Sequence, residues 1–401
     1  MTKHLIDPDK CTACTVCVAN CPVTAATREF RGPKMTGPAF ERMRKLTDGD
    51  DVMLDYCSNC KNCDMSCPSG VPVSTLNMLA RAEYYKTHKR KTQADDMLAH
   101  SEKMGKLVTS IPFGSSLVNM GMSIGKGLGI MEAMGIAADA PTPAFASESF
   151  ISKFKKIKQT SYPKKVVFFP GCFINYNQPE VGVDLVKVYQ ANKIEVIVDD
   201  AFVCCGSPLV VGGYLDEAHE NANKNIALIK KWIDKGYDVI TACTSCGLML
   251  KQEYQELFHS EDAENNAKHL YDSIEYLEIL HEEGKLNTNF APINEKFIYH
   301  AACHLRAHGF GLPSLEVLSL IPGLEIENAD AGCCGISGSY GFKKDKRPVS
   351  LKVGEKLFNR IKQSGAKTAL SECGTCRLQM TSGSGLESLH PLTILSRAYS
   401  K

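Results

Sequence analysis

The sequence predicts an α+β protein: a helical N-terminal region with two metal-binding cysteine runs, followed by two tandem α/β units, each built on a parallel sheet. Three observations predict it. Two four-cysteine runs stand within the first 67 residues. A five-cysteine pattern centred on Cys204-Cys205-Gly206 returns around Cys333-Cys334-Gly335, with Cys172 and Cys303 131 positions apart, Cys204 and Cys333 129, and Cys243/Cys246 and Cys373/Cys376 130. In both copies the cysteine groups follow short β-rich runs joined by stretches of helical spacing, the arrangement that gives parallel sheets.

Composition sets the frame. At 401 residues the chain exceeds what one core usually serves, so two to four domains are expected. The divisions expected are 1–95, a two-cluster module; 96–160, an amphipathic segment and linker; 161–290, the first repeat; and 291–401, the second. An apolar share of 44% and a charged share of 23% describe an ordinary folded protein. Lys plus Arg balance Asp plus Glu at 46 to 45, which argues against a nucleic-acid binder driven by phosphate neutralisation. The first residues, Met1 to Asp7, lack the apolar core of a signal peptide. In a reducing cytosol, clustered thiols at short fixed spacings read as metal ligands, and all 18 cysteines fall into such clusters.

The N-terminal runs are Cys11-x-x-Cys14-x-x-Cys17-x-x-x-Cys21-Pro22 and Cys57-x-x-Cys60-x-x-Cys63-x-x-x-Cys67-Pro68, the spacing of bacterial-type ferredoxins. Three cysteines of a tight loop grip one [4Fe–4S] cluster, and the fourth, ahead of a proline, belongs to the other cluster. The expected ligand sets are therefore Cys11, Cys14 and Cys17 with Cys67, and Cys57, Cys60 and Cys63 with Cys21. Zinc fits poorly, because zinc sites favour paired C-x-x-C units separated by a spacer. Between the runs a short helix is expected over Glu41–Lys45. After them Ser74 is the expected N-cap of a helix carrying Leu76, Leu79, Ala80 and Tyr84 to about Tyr85. This is more helical than the small sheet of free ferredoxins. Two clusters in one shell read as a one-electron relay; structural staples are the plainer alternative.

The middle of the chain has no charged residue from Leu107 to Gly125, but Pro112, Gly114, Ser115, Ser116 and Asn119 break it too often for a spanning helix. As a helix from about Ser115, it carries an apolar stripe of Leu117, Met120, Ile124, Leu128, Met131 and Met134 opposite Ser116, Asn119, Ser123 and Lys126. Lys86, His88, Lys89, Arg90 and Lys91 precede it, and Lys153, Lys155, Lys156, Lys158, Lys164 and Lys165 follow it. An apolar stripe between cations is how an in-plane helix meets anionic headgroups, so a membrane surface is expected at about residues 107–138. Docking to a partner and an idle linker are the alternatives. Ala140-Pro141-Thr142-Pro143 reads as linker.

In the first repeat, strands are expected at Lys165–Phe169, Glu195–Val198 and Asp238–Thr241, with helices at Pro179–Ala191 and Leu215–Ile233. In the second, they are expected at Phe297–Tyr299, Leu324–Ile326 and Thr368–Leu370. Ligand sites of such sheets lie beyond the carboxyl ends of the strands. The candidate metal ligands are Cys172, Cys204, Cys205, Cys243 and Cys246, and then Cys303, Cys333, Cys334, Cys373 and Cys376. Adjacent cysteines on a strand point to opposite faces, so the backbone must turn between them, and Gly206 and Gly335 accept the positive φ this needs. Five thiols exceed the four of a tetrahedral zinc or a simple cube, leaving either extra iron–thiolate bonds or one reactive spare. Vicinal disulfides would leave the distant cysteines unexplained. His300 and His304 flank Cys303 as extra ligands, as proton donors or as ordinary hydrogen-bonded histidines; Asn175, Tyr176 and Tyr340 read as site walls. No nucleophilic triad, Walker loop or G-x-G-x-x-G is present, so no flavin or nucleotide site is expected on this chain.

Two ferredoxin motifs ahead of two copies of C…C-C-G…C-x-x-C resemble the CCG, or cysteine-rich-domain, family of iron–sulfur subunits. The family includes subunits of heterodisulfide reductases, of glycolate and lactate oxidation systems, and the C subunit of anaerobic glycerol-3-phosphate dehydrogenases. Phe169-Pro170-Gly171-Cys172-Phe173-Ile174-Asn175-Tyr176-Asn177, Cys333 to Lys344, Arg31-Gly32-Pro33-Lys34 and Gly37-Pro38 are most similar to the last branch, and the resemblance covers nearly the whole chain. It implies an electron-transfer subunit that takes electrons from a flavoprotein oxidising sn-glycerol 3-phosphate and passes them toward menaquinone. It also implies a further subunit in the complex and a peripheral place on the cytoplasmic face of the cytoplasmic membrane. In related heterodisulfide reductases the five-cysteine pattern binds a noncubane iron–sulfur cluster. Both repeats here keep all five cysteines, while other relatives use one such domain for a different cluster or for zinc. The resemblance therefore also leaves open a disulfide-reducing or glycolate/lactate-oxidising complex, or a zinc-filled scaffold whose ferredoxin part alone is redox-active.

Overall fold

A computed structural model describes residues 6–44 and 52–400. Among the described residues no strand precedes Lys164, so the N-terminal module is helical, as the spacing predicts. The helix expected at Glu41–Lys45 is the end of Pro38–Arg44; Lys45 and the leader positions Met1–Leu5 lie outside the described residues. The long helix of this module runs Val73–Thr87 with Pro72 at its N-cap, which corrects the expectation of Ser74 as cap. The cause is Asp64: its Oδ1 accepts from the Ser74 backbone N–H at 2.7 Å and its Oδ2 accepts from the Ser74 hydroxyl, which holds Ser74 inside the first turn.

The two repeats fold alike. The first sheet has β1 (Lys164–Phe169), β2 (Ile194–Ile197), β3 (Asp238–Thr241) and β4 (Leu270–Asp272) in the order β2-β1-β3-β4, all parallel. The second has β5 (Lys296–Tyr299), β6 (Glu325–Asn328), β7 (Thr368–Leu370) and β8 (Glu387–Leu389) in the order β6-β5-β7-β8, again all parallel. Helices cover both faces, and Val166 to Phe169 of β1 are fully buried, as a central parallel strand requires. The helices Pro179–Ala191 and Leu215–Ile233 stand where their spacing places them. The edge strands β4 and β8 were not expected, because three residues carry too little periodicity to read.

One core runs through both repeats. The helix Pro391–Tyr399 of the second packs on Pro179–Ala191 of the first; Thr393 Oγ1 donates to Asp184 Oδ2 at 2.8 Å and Asn192 Nδ2 to Tyr399 Oη at 3.1 Å. The strand ends of both sheets, and the cysteines after them, therefore have fixed relative positions.

The middle segment forms an arm of helices, Ser101–Ser110, Gly114–Gly127 and Ile130–Ala133. Its orientation inverts the usual rule for a surface helix. Of the polar side, Asn119 and Lys126 turn inward while Ser116 and Ser123 stay exposed: Asn119 exchanges two 2.9 Å hydrogen bonds with the Phe145 backbone, and Lys126 Nζ donates to the Ala140 carbonyl at 2.6 Å. The apolar side faces out, with Phe113 82% exposed and Leu107, Leu117, Met120, Ile124 and Leu128 all more than half exposed. Two expectations change here. Met131 and Met134 leave the stripe, because Gly129 at φ +72° ends the helix and the chain then turns Met131 into the core. Several of the flanking cations are engaged within the chain: Lys91 with Asp55 at 2.9 Å, Lys153 with Glu180 at 2.7 Å, Lys155 with Asp200 at 3.0 Å and Lys165 with Glu195 at 2.9 Å; Lys89 and Lys158 are exposed.

Candidate metal centres

The two N-terminal cysteine loops wind identically. Ala13 and Thr15 in the first, and Asn59 and Lys61 in the second, all have left-handed φ between +53° and +65°. These are the second and fourth positions after Cys11 and Cys57. Non-glycine residues hold that conformation at a cost, and such strain concentrates at functional sites. Here it curls each loop so that its thiols face one cavity. Cys11, Cys14, Cys17 and Cys67 line one cavity, and Cys21, Cys57, Cys60 and Cys63 line another, which are the two sets expected from the spacing. Backbone and amide groups point at the sulfurs, with Val71 N–H 3.3 Å from Cys67 Sγ and Asn77 Nδ2 3.7 Å from Cys57 Sγ.

The second loop is anchored by buried charge. Lys61 is buried and its ammonium lies 2.9 Å from buried Glu253 of the first repeat, with Thr75 Oγ1 accepting at 3.0 Å. Arg81 donates to the Cys57 carbonyl at 2.6 Å and to the Val211 carbonyl at 2.7 Å. Sequence reasoning missed Lys61, Glu253 and Arg81, whose partners stand far away along the chain.

In each repeat the five thiols form a chain of neighbours in the same order. In the first it runs Cys172, Cys204, Cys205, Cys246, Cys243; in the second, Cys303, Cys333, Cys334, Cys376, Cys373. Measured contacts are 3.8 Å between Cys172 and Cys204 sulfurs and 3.1 Å between Cys334 and Cys376. Two sulfurs on one tetrahedral iron or zinc, with bonds of about 2.3 Å, stand roughly 3.8 Å apart, so the donor sets fit a soft-metal thiolate centre. The turn between adjacent cysteines uses Gly206 at φ +90° and Gly335 at φ +85°. A side chain at Gly171 would press on Cys246 Sγ at 2.7 Å, so a glycine must precede Cys172.

Crowding sets the protonation. Hydrogen bonds, first from Cys204 and then from Cys246, pull the Cys205 thiol down to about 6. The hydrogen bond from Cys376 brings Cys373 to about 5. Cys172, Cys246, Cys303, Cys334 and Cys376 are pushed well up, chiefly by the thiols they face. Neighbouring thiols therefore share protons, and metal loading must release them.

The sets are near neighbours, and Cys21 and Cys57 of the second ferredoxin set share a buried cluster with Cys204, Cys205 and Cys246 of the first repeat. Burial and then the Cys333 thiol push Cys60 up, which places the second ferredoxin loop against the second repeat. Cys373 in turn acts on Cys243, joining the two repeats. His304 sits at this junction. A carbonyl only accepts, so Nε2–H donates to the Asn59 carbonyl at 2.8 Å and Nδ1 accepts from the Ser245 hydroxyl at 2.9 Å. Both its nitrogens are spoken for, so it serves as a brace. His300 differs: it is 3% exposed, its Nε2 has no hydrogen-bond partner, and burial holds its imidazole down to about 4. Tyr340 is buried near Cys57 and Cys21, and Asn175 accepts from Ile151 N–H at 3.1 Å. At the far end, the arm closes on the first repeat: Glu102 Oε1 accepts from Cys204 N–H at 2.8 Å, and Ser101 Oγ is 3.8 Å from Cys172 Sγ. No local signal marks those two residues.

Known proteins share this layout. The family model described as a cysteine-rich domain matches residues 166–251 and 297–381, and that of a 4Fe-4S dicluster domain matches 7–71. The chain is 36% identical to the C subunit of the anaerobic glycerol-3-phosphate dehydrogenase of Escherichia coli K12, over 97% of this chain and 98% of the relative. It is 27% identical to the B subunit of the fumarate reductase (CoM/CoB) of Methanothermobacter marburgensis, over 96% of this chain and 70% of the relative. It is 24% identical to a probable glycolate oxidase iron-sulfur subunit of Bacillus subtilis, over 94% and 89%.

Proposed function

Because the chain belongs to the family of the anaerobic glycerol-3-phosphate dehydrogenase C subunits, with their iron–sulfur electron-transfer modules, we propose that it relays electrons from a flavoprotein subunit oxidising sn-glycerol 3-phosphate toward menaquinone. The observation that carries this reading is the closeness of the thiol sets: Cys60 and Cys333, and Cys243 and Cys373, lie near enough to bear on each other's protons, and Cys21 and Cys57 share a buried cluster with Cys204, Cys205 and Cys246. Cys11, Cys14, Cys17 and Cys67 hold one [4Fe–4S] cluster, and Cys57, Cys60, Cys63 and Cys21 the other. Cys172, Cys204, Cys205, Cys243 and Cys246 form the first repeat's centre; Cys303, Cys333, Cys334, Cys373 and Cys376 form the second's. Bound clusters supply reversible one-electron chemistry.

The chain's own residues do the rest. Left-handed loops hold the thiols converged, Lys61–Glu253 and His304 keep the modules at fixed separation, and the buried walls exclude water. Among the described residues no helix is long and apolar enough to cross a membrane. The exposed face of Phe113, Leu117, Met120, Ile124 and Leu128 lies on the arm that closes the first repeat, and we assign it to the surface of the cytoplasmic membrane, where a lipid-soluble quinone is reached.

The test is reduction of the anaerobically purified chain. Glycerol 3-phosphate should reduce it only when the flavoprotein is added; reduction or dehydrogenase activity by the chain alone sinks the reading. Vesicle sedimentation of the Phe113→Ser/Leu117→Ser chain should show lost lipid binding with cluster spectra intact.

A further inference from the structure

The two repeats differ at the residue where the central strand hands over to the first cysteine. In the first repeat it is Phe169, fully buried and packed edge-on against Phe202 with ring centroids 5.1 Å apart. In the second it is His300, 131 positions on. A ring nitrogen of His300 lies within 4.8 Å of both Cys334 and Cys376 sulfurs, and all three residues are buried. Two ligands of one ion are separated by at most about twice a metal–ligand bond of roughly 2.0–2.3 Å, so a small inward rotation brings all three onto one metal. Its Nε2 is orphaned among the described residues, and a buried polar nitrogen without a partner costs free energy unless something satisfies it. Cys334 and Cys376 cannot be that partner as they stand, since neither sulfur makes a hydrogen bond with it. His304, one residue past Cys303, has both nitrogens bonded elsewhere, so only His300 is available.

We propose that His300 is a nitrogen ligand of the second repeat's metal, making that centre a mixed sulfur–nitrogen site while the first repeat's is all sulfur. Imidazole suits iron and zinc, both of which accept thiolate beside it. The proposal rests on the thiol assignment above and adds a sixth donor to it. It gives the repeats different centres although their ten cysteines match in number and order.

The test uses the full chain, purified anaerobically after growth with natural or 15N-labelled histidine, beside His300→Phe and His300→Cys. Pulsed electron paramagnetic resonance reads a histidine nitrogen on an iron centre; zinc K-edge absorption reads it on zinc. The expected result is a nitrogen ligand in the wild type that responds to the label where the centre is iron, and is lost in both variants while the N-terminal cluster signals persist. Phe at this position copies the first repeat, and Cys restores a donor, so His300→Cys should keep the metal that His300→Phe weakens. An all-sulfur shell in the wild type overturns the proposal, as does a nitrogen signal that survives His300→Phe. If the phenylalanine variant fails to fold, the labelled wild type still decides. Absence of any metal beyond the two N-terminal clusters overturns the thiol assignment itself, a different result from metal bound by sulfur alone.

Discussion

The first and second repeats have the same sheet order, the same five thiols in the same sequence of neighbours, and a glycine turn at the same place, yet they face different things. The first repeat's thiols meet Ser101 and Glu102 of the apolar arm. The second repeat's meet Cys60 of the ferredoxin module and carry His300 in place of Phe169. Duplication therefore copied a ligand set, and what docks at the strand ends made the copies unequal: Cys60 of the ferredoxin module at the second, the apolar arm at the first.

The sharpest way to break that comparison is to remove one thiol from each. On a route that crosses the second repeat first, Cys376→Ser should leave the first repeat unreduced by electrons entering at the N-terminal module. Cys246→Ser should leave the second repeat reducible. Freeze-quenched paramagnetic resonance after mixing with the reduced flavoprotein distinguishes the two; equal behaviour of both variants would mean that the repeats are not in series.

The glycine turns should respond unequally as well. A Cβ on Gly206 would meet Ala218 Cβ at 3.4 Å, an ordinary contact, whereas one on Gly335 would lie 2.0 Å from the Ser350 carbonyl oxygen. Both positions have left-handed φ, so Gly206→Ala should cost about 1–2 kcal/mol for backbone strain alone. Gly335→Ala adds an overpacking cost of about 1–3 kcal/mol, because the helix Arg347–Gln363 must move. Denaturant midpoints of the anaerobic protein measure the difference, and matching losses would show that the Ser350 backbone yields freely.

Much of this was legible in the sequence because metal ligands declare themselves locally: C-x-x-C spacing, a C-C-G turn and a period of about 130 residues place all 18 cysteines before any fold is known. The central strands follow, since buried parallel strands are short runs such as Val166 to Phe169. What escaped depends on distant partners. Lys61 reads as a surface cation until Glu253, 192 positions away in sequence, is found beside it. Periodicity located the arm's apolar stripe but not which side faces the protein; that was decided by Asn119 finding the Phe145 backbone. Nothing around Glu102 in the sequence marks it, and its place at Cys204 comes from the arm folding back across the first repeat.

The mildest contrast lies at the last strand of each sheet, where the following helix is capped by Asp272 in the first repeat and by His390 in the second. Asp272 accepts from Ile274 N–H at 2.8 Å, and His390 Nδ1 accepts from Leu392 N–H at 3.0 Å. Burial, and then the nearby Glu372, raise Asp272 to about 8, while burial, and then Arg377, press His390 well below its ordinary value. The raised carboxyl holds its proton more tightly folded than unfolded, so its contribution falls as pH climbs from about 4 toward 8 and is flat beyond. The depressed imidazole resists protonation when folded, so its contribution is complete above about 6.5 and is lost as pH drops below that. Asp272→Asn keeps a side-chain oxygen for the cap and should flatten the stability loss toward pH 8 while leaving the acid side unchanged. His390→Asn should instead ease the loss below pH 6.5, by about the same mechanism with opposite sign. Unfolding midpoints across pH 5 to 8 read both; an Asp272→Asn profile parallel to the wild type would mean that the carboxyl is ionised in the folded chain, and the two caps would then differ in chemistry but not in their coupling to protons.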